Sequence, residues 1–232
     1  RAAGANGRGE AARRLRAAAH ALAAEAHERQ RQYPQALGEV QKALDLLPQL
    51  TAARVVRATA LQQSGRGREA EAELEQALRD EPLSAAARLQ LGYCQLCSGS
   101  PRAAETLEAV LTCSGALQST LGAAKVYLAV ALDAQAERGL DLRGGAAQRA
   151  EAVAREGLAA HRNLQQVWRE IEGGSAGQPL ESMQRLRGIC DLDLTSSQAR
   201  QLLRLLARAS GRADLAAGLP GGAGGQGRGQ GG

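Results

Sequence analysis

The sequence predicts an all-α fold of stacked helix pairs. Three observations carry this: small side chains recur every 34 residues, aromatic residues are scarce, and turn signals fall at helix-pair spacing. Trp168, Tyr33, Tyr93 and Tyr127 are the whole aromatic complement, and Phe is absent. A core must then be filled by Ala, Leu and Val, which suits helices that approach closely, whereas strands draw on β-branched and aromatic residues. At 232 residues the chain has room for one ordinary domain or for a short run of repeats with tails.

The recurrence favours repeats. Writing 17–50, 51–84 and 85–118 in register aligns Ala24, Ala58 and Gly92 in the first half of each block, and Ala36, Ala70 and Ala104 in the second. Val40 then matches Leu74, Ala43 matches Ala77, and Pro48 matches Pro82, with no gap. A fixed period of this length marks a repeat array whose units bury their faces on one another. In the second block Thr51 is placed to cap a helix running to about Gln63. Ser64, Gly65, Arg66 and Gly67 turn the chain, and Arg68 to Asp80 forms the return helix before Pro82. Ala58 and Ala70 let the two helices close, and Leu61, Leu74 and Leu78 fill the remaining space.

These residues resemble the tetratricopeptide repeat family, whose pattern has a small residue in the first helix, a small-bulky-small series in the second and a Pro at the repeat end. Block 51–84 carries Ala58, Leu61, Gly65, Ala70, Leu74, Ala77 and Pro82. Block 17–50 carries Tyr33, Ala36, Val40, Ala43 and Pro48. The third block departs: Glu108 stands where an apolar residue belongs and Ala116 replaces the Pro, so its second helix is expected to shift onto Leu107, Val110 and Leu111. A fourth unit, 119–162, combines a long helix from Ser119 to Ala136 with a second helix through Ala150, Val153, Ala154, Gly157 and Leu158. Glu137 to Gly145 is read as an inserted loop between them. Residues 163–172, with Trp168, begin a further helix pair. The resemblance covers 17–172 and implies a right-handed α-solenoid.

Around this array, residues 1–16 read as a flexible basic leader. Residues 173–210 read as a linker followed by capping helices, Leu180 to Cys190 and Ser196 to Ser210, the second capped by Asp193 or Thr195. Leu202, Leu203, Leu205 and Leu206 give the capping helices a face able to cover the open end of a solenoid. Residues 211–232 read as a Gly-rich disordered tail.

The formal charge of +5 resides in the tails. Residues 1–16 hold five Arg against Glu10, and 211–232 hold Arg212 and Arg228 against Asp214, which leaves the body neutral. A neutral body shows no phosphate-tracking stripe, and phosphate neutralisation by Lys and Arg supplies most non-specific affinity for nucleic acid. No apolar run approaches the roughly 20 residues of a membrane span, and the start has no hydrophobic secretory signal. An intracellular location is expected, the cytoplasm or an organelle reached by a transit sequence whose remnant would be the Arg- and Ala-rich opening. The absence of an initiating Met leaves open that the chain is a fragment of a longer protein.

Residues that could carry chemistry are few. His20 and His27 lie seven apart, too far for a one-turn chelate, and with His161 are read as surface histidines. Cys94 and Cys97 form a CxxC inside a predicted helix. Redox pairs sit instead at a helix N-terminus, which lowers the thiol pKa, so these are read as ordinary thiols. Cys113 and Cys190 supply no second CxxC for zinc. Glu69, Glu71, Glu73 and Glu75 are spread over a solvated helix, and no nucleotide loop or nucleophile elbow occurs. Neither catalytic residues nor cofactor nor metal are expected.

In the family the first helices of successive repeats line a concave surface. The resemblance therefore implies lining by Ala21, Glu25, Glu28 and Arg29 in the first repeat, and by Val55, Thr59, Gln62 and Gln63 in the second. Leu89, Tyr93, Leu96 and Cys97 follow in the third, and Ala123, Tyr127, Val130 and Ala131 in the fourth. The apolar half around Leu89, Tyr93, Leu96, Tyr127 and Val130 is expected to grip a partner's helix or peptide, aromatic anchors carrying most of the energy. The competing expectation is that the C-terminal helices, 180–210, fold back into it. The family's clamp for chaperone tails is missing, since Ala21, Glu25, Val56, Ala86 and Gln90 occupy its places. The expected function is a non-enzymatic protein-interaction adaptor or scaffold within a multi-subunit complex. The second reading is an organellar RNA-binding helical-repeat protein, supported by the basic leader and opposed by the neutral body.

Overall fold

A computed structural model of the chain describes residues 2–140, 145–173, 179–189 and 192–217, with side chains from Gly9 onward except at Ala213. Its elements are α1 (Ala2–Arg29), α2 (Tyr33–Leu46), α3 (Thr51–Gln63), α4 (Gly67–Asp80), α5 (Ala85–Ser98) and α6 (Ala103–Leu111). They continue with α7 (Gln118–Glu137), α8 (Ala146–Ala160), α9 (Arg162–Glu172), α10 (Pro179–Arg187), α11 (Ser196–Ala209) and a 3-10 turn at Ala213–Ala216. There is no strand among the described residues. Each helix from α1 to α8 packs on its neighbours in sequence, and α1, α3, α5 and α7 also touch in succession. This translational stacking makes the fold an α-solenoid.

The 34-residue positions are where the helices meet. Ala24, Ala58, Ala36 and Ala70 are fully buried, and Ala104 nearly so. At Gly92 of α5 even a methyl group is too much, because a Cβ there would stand 2.6 Å from Cγ of the fully buried Leu107 on α6. The fourth pair uses the same device: a Cβ on Gly157 of α8 would lie 3.2 Å from the Val126 backbone nitrogen of α7. Gly65 and Gly99 end α3 and α5 at φ of 77° and 70°, in the left-handed region that glycine enters at no steric cost. The α1–α2 turn instead places Arg31 there, at φ 58°.

Several boundaries differ from the sequence reading. Residues 2–16, expected as a flexible leader, belong to α1; the strong helix formers from Glu10 to Arg16 favour this, while Gly4, Asn6, Gly7 and Gly9 have low helix propensity. Leu50, not Thr51, is the N-cap of α3, and Thr51 lies buried in its first turn. The third repeat does shift its second helix onto Leu107 and Val110, both fully buried, while Leu111 is half-buried. The displaced Glu108 turns to an ion pair with Arg149 of α8. In the inserted loop, residues 141–144 lie outside the described residues, as do most of the linker and Cys190. His161, expected on the surface, is buried and caps α9 by accepting from the Leu164 amide at 3.2 Å. Residues 213–216, placed in the tail, form the 3-10 turn against α11, and 218–232 lie outside the described residues.

Beyond the four repeats, α9 and α10 lead to α11, which lies on α7 and α8. Thr195 caps α11 in a reciprocal capping box with Gln198. Leu202, Leu203, Leu205 and Leu206 are fully buried and share one core with α5 to α10. Arg208 fixes this cap from outside, donating at 2.7 Å to the buried Asp133 carboxylate of α7 and at 3.1 Å to Glu151 of α8. No described helix is long and apolar enough to cross a membrane.

Candidate functional site: the concave face

The concave face is built from α1, α3, α5 and α7, and its two halves are in different states. Tyr93 of α5 and Tyr127 of α7 stand one repeat apart, so their rings meet, with centroids at 5.1 Å and planes inclined by 39°. The segment 192–194, which leads into α11, runs across them. The Tyr93 hydroxyl donates to the Asp193 carbonyl at 2.8 Å, and the Asp193 amide donates to the Tyr127 hydroxyl at 3.0 Å. Gln63 of α3 donates to the Asp193 carboxylate at 2.7 Å, Arg31 approaches it at 3.8 Å, and Gln198 donates to the Cys97 sulfur at 3.7 Å.

The expected partner-binding residues are thus brought together, but the chain's own C-terminal segment fills the space they enclose. Tyr93 and Tyr127 are each 5 % exposed and Val130 is fully buried, while Leu89 and Leu96 are half-buried against the same core as Leu192 and Leu194. This corrects the reading of that half as an open grip and realises the competing fold-back. The physical cause lies in the cap. Its leucines must be buried, and the two phenols satisfy the backbone N–H and C=O of Asp193, which sits at the centre of a tight turn closed by the Leu194 amide donating to the Leu192 carbonyl at 3.0 Å.

Burial also governs the chemistry here. It pushes the Tyr93 phenol up, with the neighbouring Cys97 adding to the effect, so Tyr93 is a neutral donor. It pushes the Cys94 thiol up to about 12 and raises Cys97 as well, the reverse of what a redox CxxC requires. Among the described residues no cluster of three or more His, Cys, Asp or Glu could hold a metal ion. His20 pairs with Glu39 at 2.6 Å and His27 with Gln32 at 2.8 Å.

The N-terminal half is open. Between α1, α3 and the start of α5 runs a groove of about 510 Å³, lined by Ala18, Ala21, Leu22, Leu50, Ala52, Val55, Val56 and Ala86 together with Thr51, Thr59 and Ser84. Leu22 is 67 % exposed. The charged lining consists of Glu25, Glu28 and Glu81. Glu25 is engaged by Arg29 at 2.7 Å. Glu28 is held above the usual carboxylate range by partial burial, then by Asp193 and Glu25, against the opposing pull of Arg29 and Arg31.

Five positions expected from the repeat pattern, Ala21, Glu25, Glu28, Val55 and Thr59, line this groove. Gln63 instead reaches the strap at Asp193. The pattern missed Leu22, Leu50, Glu81 and Ser84, which enter from the flank of α1 and the turns between repeats. Leu22 could have been found as a large apolar residue beside the helix's core positions; the turn residues have no periodic signal.

No family model matches the chain, and no curated protein sequence does. Among solved structures, the chain is similar to PilW, a widely conserved type IV pilus biogenesis factor, with a TM-score of 0.54 and 20 % identity over 86 % of this chain and 88 % of that one. It is also similar to PilF of Pseudomonas aeruginosa, with a TM-score of 0.57 and 16 % identity over 89 % of each chain. Both are helical-repeat proteins, and at these identities what the chain shares with them is a tetratricopeptide-like fold along nearly its whole length.

Proposed function

We propose that the chain is a non-enzymatic protein-interaction module, an adaptor or scaffold subunit of a larger assembly, and that it receives a partner's helix or peptide in the N-terminal half of its concave groove. The observation that carries this is the open apolar trough of about 510 Å³ at the positions where first helices of successive repeats turn inward. Concave apolar surface left uncovered on a folded chain is where a guest gains most from leaving water. The fold shared with a pilus biogenesis factor supports a role in building an assembly. The three carboxylates of the lining oppose the RNA reading, because they would repel a phosphate backbone.

Site-specific photocrosslinking in extract of the native source tests the proposal. A photoreactive residue at Val55 is expected to capture a discrete protein, whereas one at the buried Val130 captures none and Val55→Arg abolishes capture by a neighbouring probe at Ala52. Equal capture from Val55 and from Glu75, an exposed residue of α4, would overturn the reading.

A further inference from the structure

We infer that the guest of the open groove is a cationic amphipathic segment, whose apolar face lies on Ala21, Val55 and Thr59 and whose flanking Lys or Arg side chains reach Glu28 and Glu81. The inference rests on the reading of this groove as the partner site and specifies the chemistry that the site selects.

Charge complementarity on an apolar floor points to such a guest. The groove lining contains three carboxylates and no Lys, Arg or His, although the chain as a whole is cationic. Glu25 already has Arg29. Glu28 and Glu81 make no ion pair among the described residues, so both are available to a guest. The carboxylate of Asp193 adds negative charge close to Glu28, and Arg31 offsets it only from 3.8 Å.

Partial burial and these acidic neighbours disfavour ionised Glu28. An ammonium or guanidinium brought in by a guest restores the balance, forming a charge-assisted hydrogen bond of the stronger kind. An acidic guest would meet the carboxylates of Glu28 and Glu81, which have no ion pair among the described residues, and a wholly apolar one would bury Glu28 without a partner, which is costly for a charged group. Only an apolar face flanked by cations satisfies both the floor and the rim.

Selection of helical peptides from a random phage-displayed library on the full chain tests this without presupposing a sequence. The expected winners carry an apolar stripe flanked by Lys or Arg, and Val55→Arg abolishes their binding. The double variant Glu28→Gln, Glu81→Gln is expected to weaken them about tenfold, the sum of two partly exposed ion pairs, and to flatten the salt dependence of binding. Peptides that need Val55 but are neutral or acidic would overturn the charge inference and leave the groove reading standing. Peptides indifferent to Val55→Arg, or no enrichment at all, would overturn both.

Discussion

The hydroxyl of Tyr93 donates a 2.8 Å hydrogen bond to the backbone carbonyl of Asp193, a residue one hundred positions further along the chain. Tyr127 accepts from the amide of the same residue at 3.0 Å, so two phenols one repeat apart hold one residue of the C-terminal strap. The strap is held through its backbone, which the third and fourth repeats supply with both a donor and an acceptor.

Removing these hydroxyls has unequal effects. Tyr127→Phe leaves the Asp193 N–H without its acceptor and is expected to cost about 1–3 kcal/mol; Tyr93→Phe removes a donor to a carbonyl and should cost about 1 kcal/mol. Amide hydrogen exchange checks this: Asp193 should be protected in the unmodified chain and lose most of its protection in Tyr127→Phe. Protection unchanged by Tyr127→Phe would show that the strap is held by other means.

Two glycine substitutions of the same kind should move stability in opposite directions. A Cβ added to Gly38 of α2 would meet nothing within 4 Å, so Gly38→Ala gains helix propensity and should stabilise by about 0.5–1 kcal/mol. Gly92→Ala meets Leu107 at 2.6 Å, and overpacking should exceed that gain for a net loss of about 1–2 kcal/mol. Thermal unfolding of both variants measures the contrast.

Arg208 ties the cap to the repeats. Asp133 is 4 % exposed, and Arg208→Ala leaves its carboxylate without that partner, at an expected cost of about 2–3 kcal/mol. Asp133→Asn with Arg208→Ala should recover part of the loss, because the buried group is then neutral. Chemical denaturation of the single and double variants tests this; a double variant no more stable than Arg208→Ala would count against the buried charge as the cause.

The Cys94 thiol, pushed up to about 12 by burial, stays protonated at pH 8. Its folded-state value is raised, so the thiolate that reacts with iodoacetamide is scarce until the chain unfolds. Native alkylation at Cys94 should therefore be far slower than in denaturant, as peptide mass mapping would show. Rapid native labelling would contradict the buried placement.

Most of the architecture was legible because it depends on local regularities. Ala24, Ala58 and Gly92, and their partners Ala36, Ala70 and Ala104, declare the period, since helices approach closely only where side chains are small. The shift of the third repeat onto Leu107 and Val110 was readable from the charge at Glu108. The state of the groove was not. Whether Tyr93 and Tyr127 face a partner or residue 193 depends on a contact one hundred residues long, and the apolar pattern of Leu202 to Leu206 is the same whether the cap covers an end or a face. Glu81 and Leu50 entered the site from turns, where no periodicity marks which side faces inward. The burial of His161 has no periodic signal either, because capping of α9, not helical position, decides it.

On the reading proposed above, the chain seals one half of its concave face with its own strap and leaves the other half open to a guest. Methyl NMR of the full chain, titrated with a Leu- and Ala-faced helical peptide flanked by Lys, separates the two halves. The expected result is that the Val55 and Val56 methyls shift on binding while Val130 and the protected amide of Asp193 stay unchanged. Shifts at Val130 with release of the Asp193 amide, and none at Val55, would contradict it.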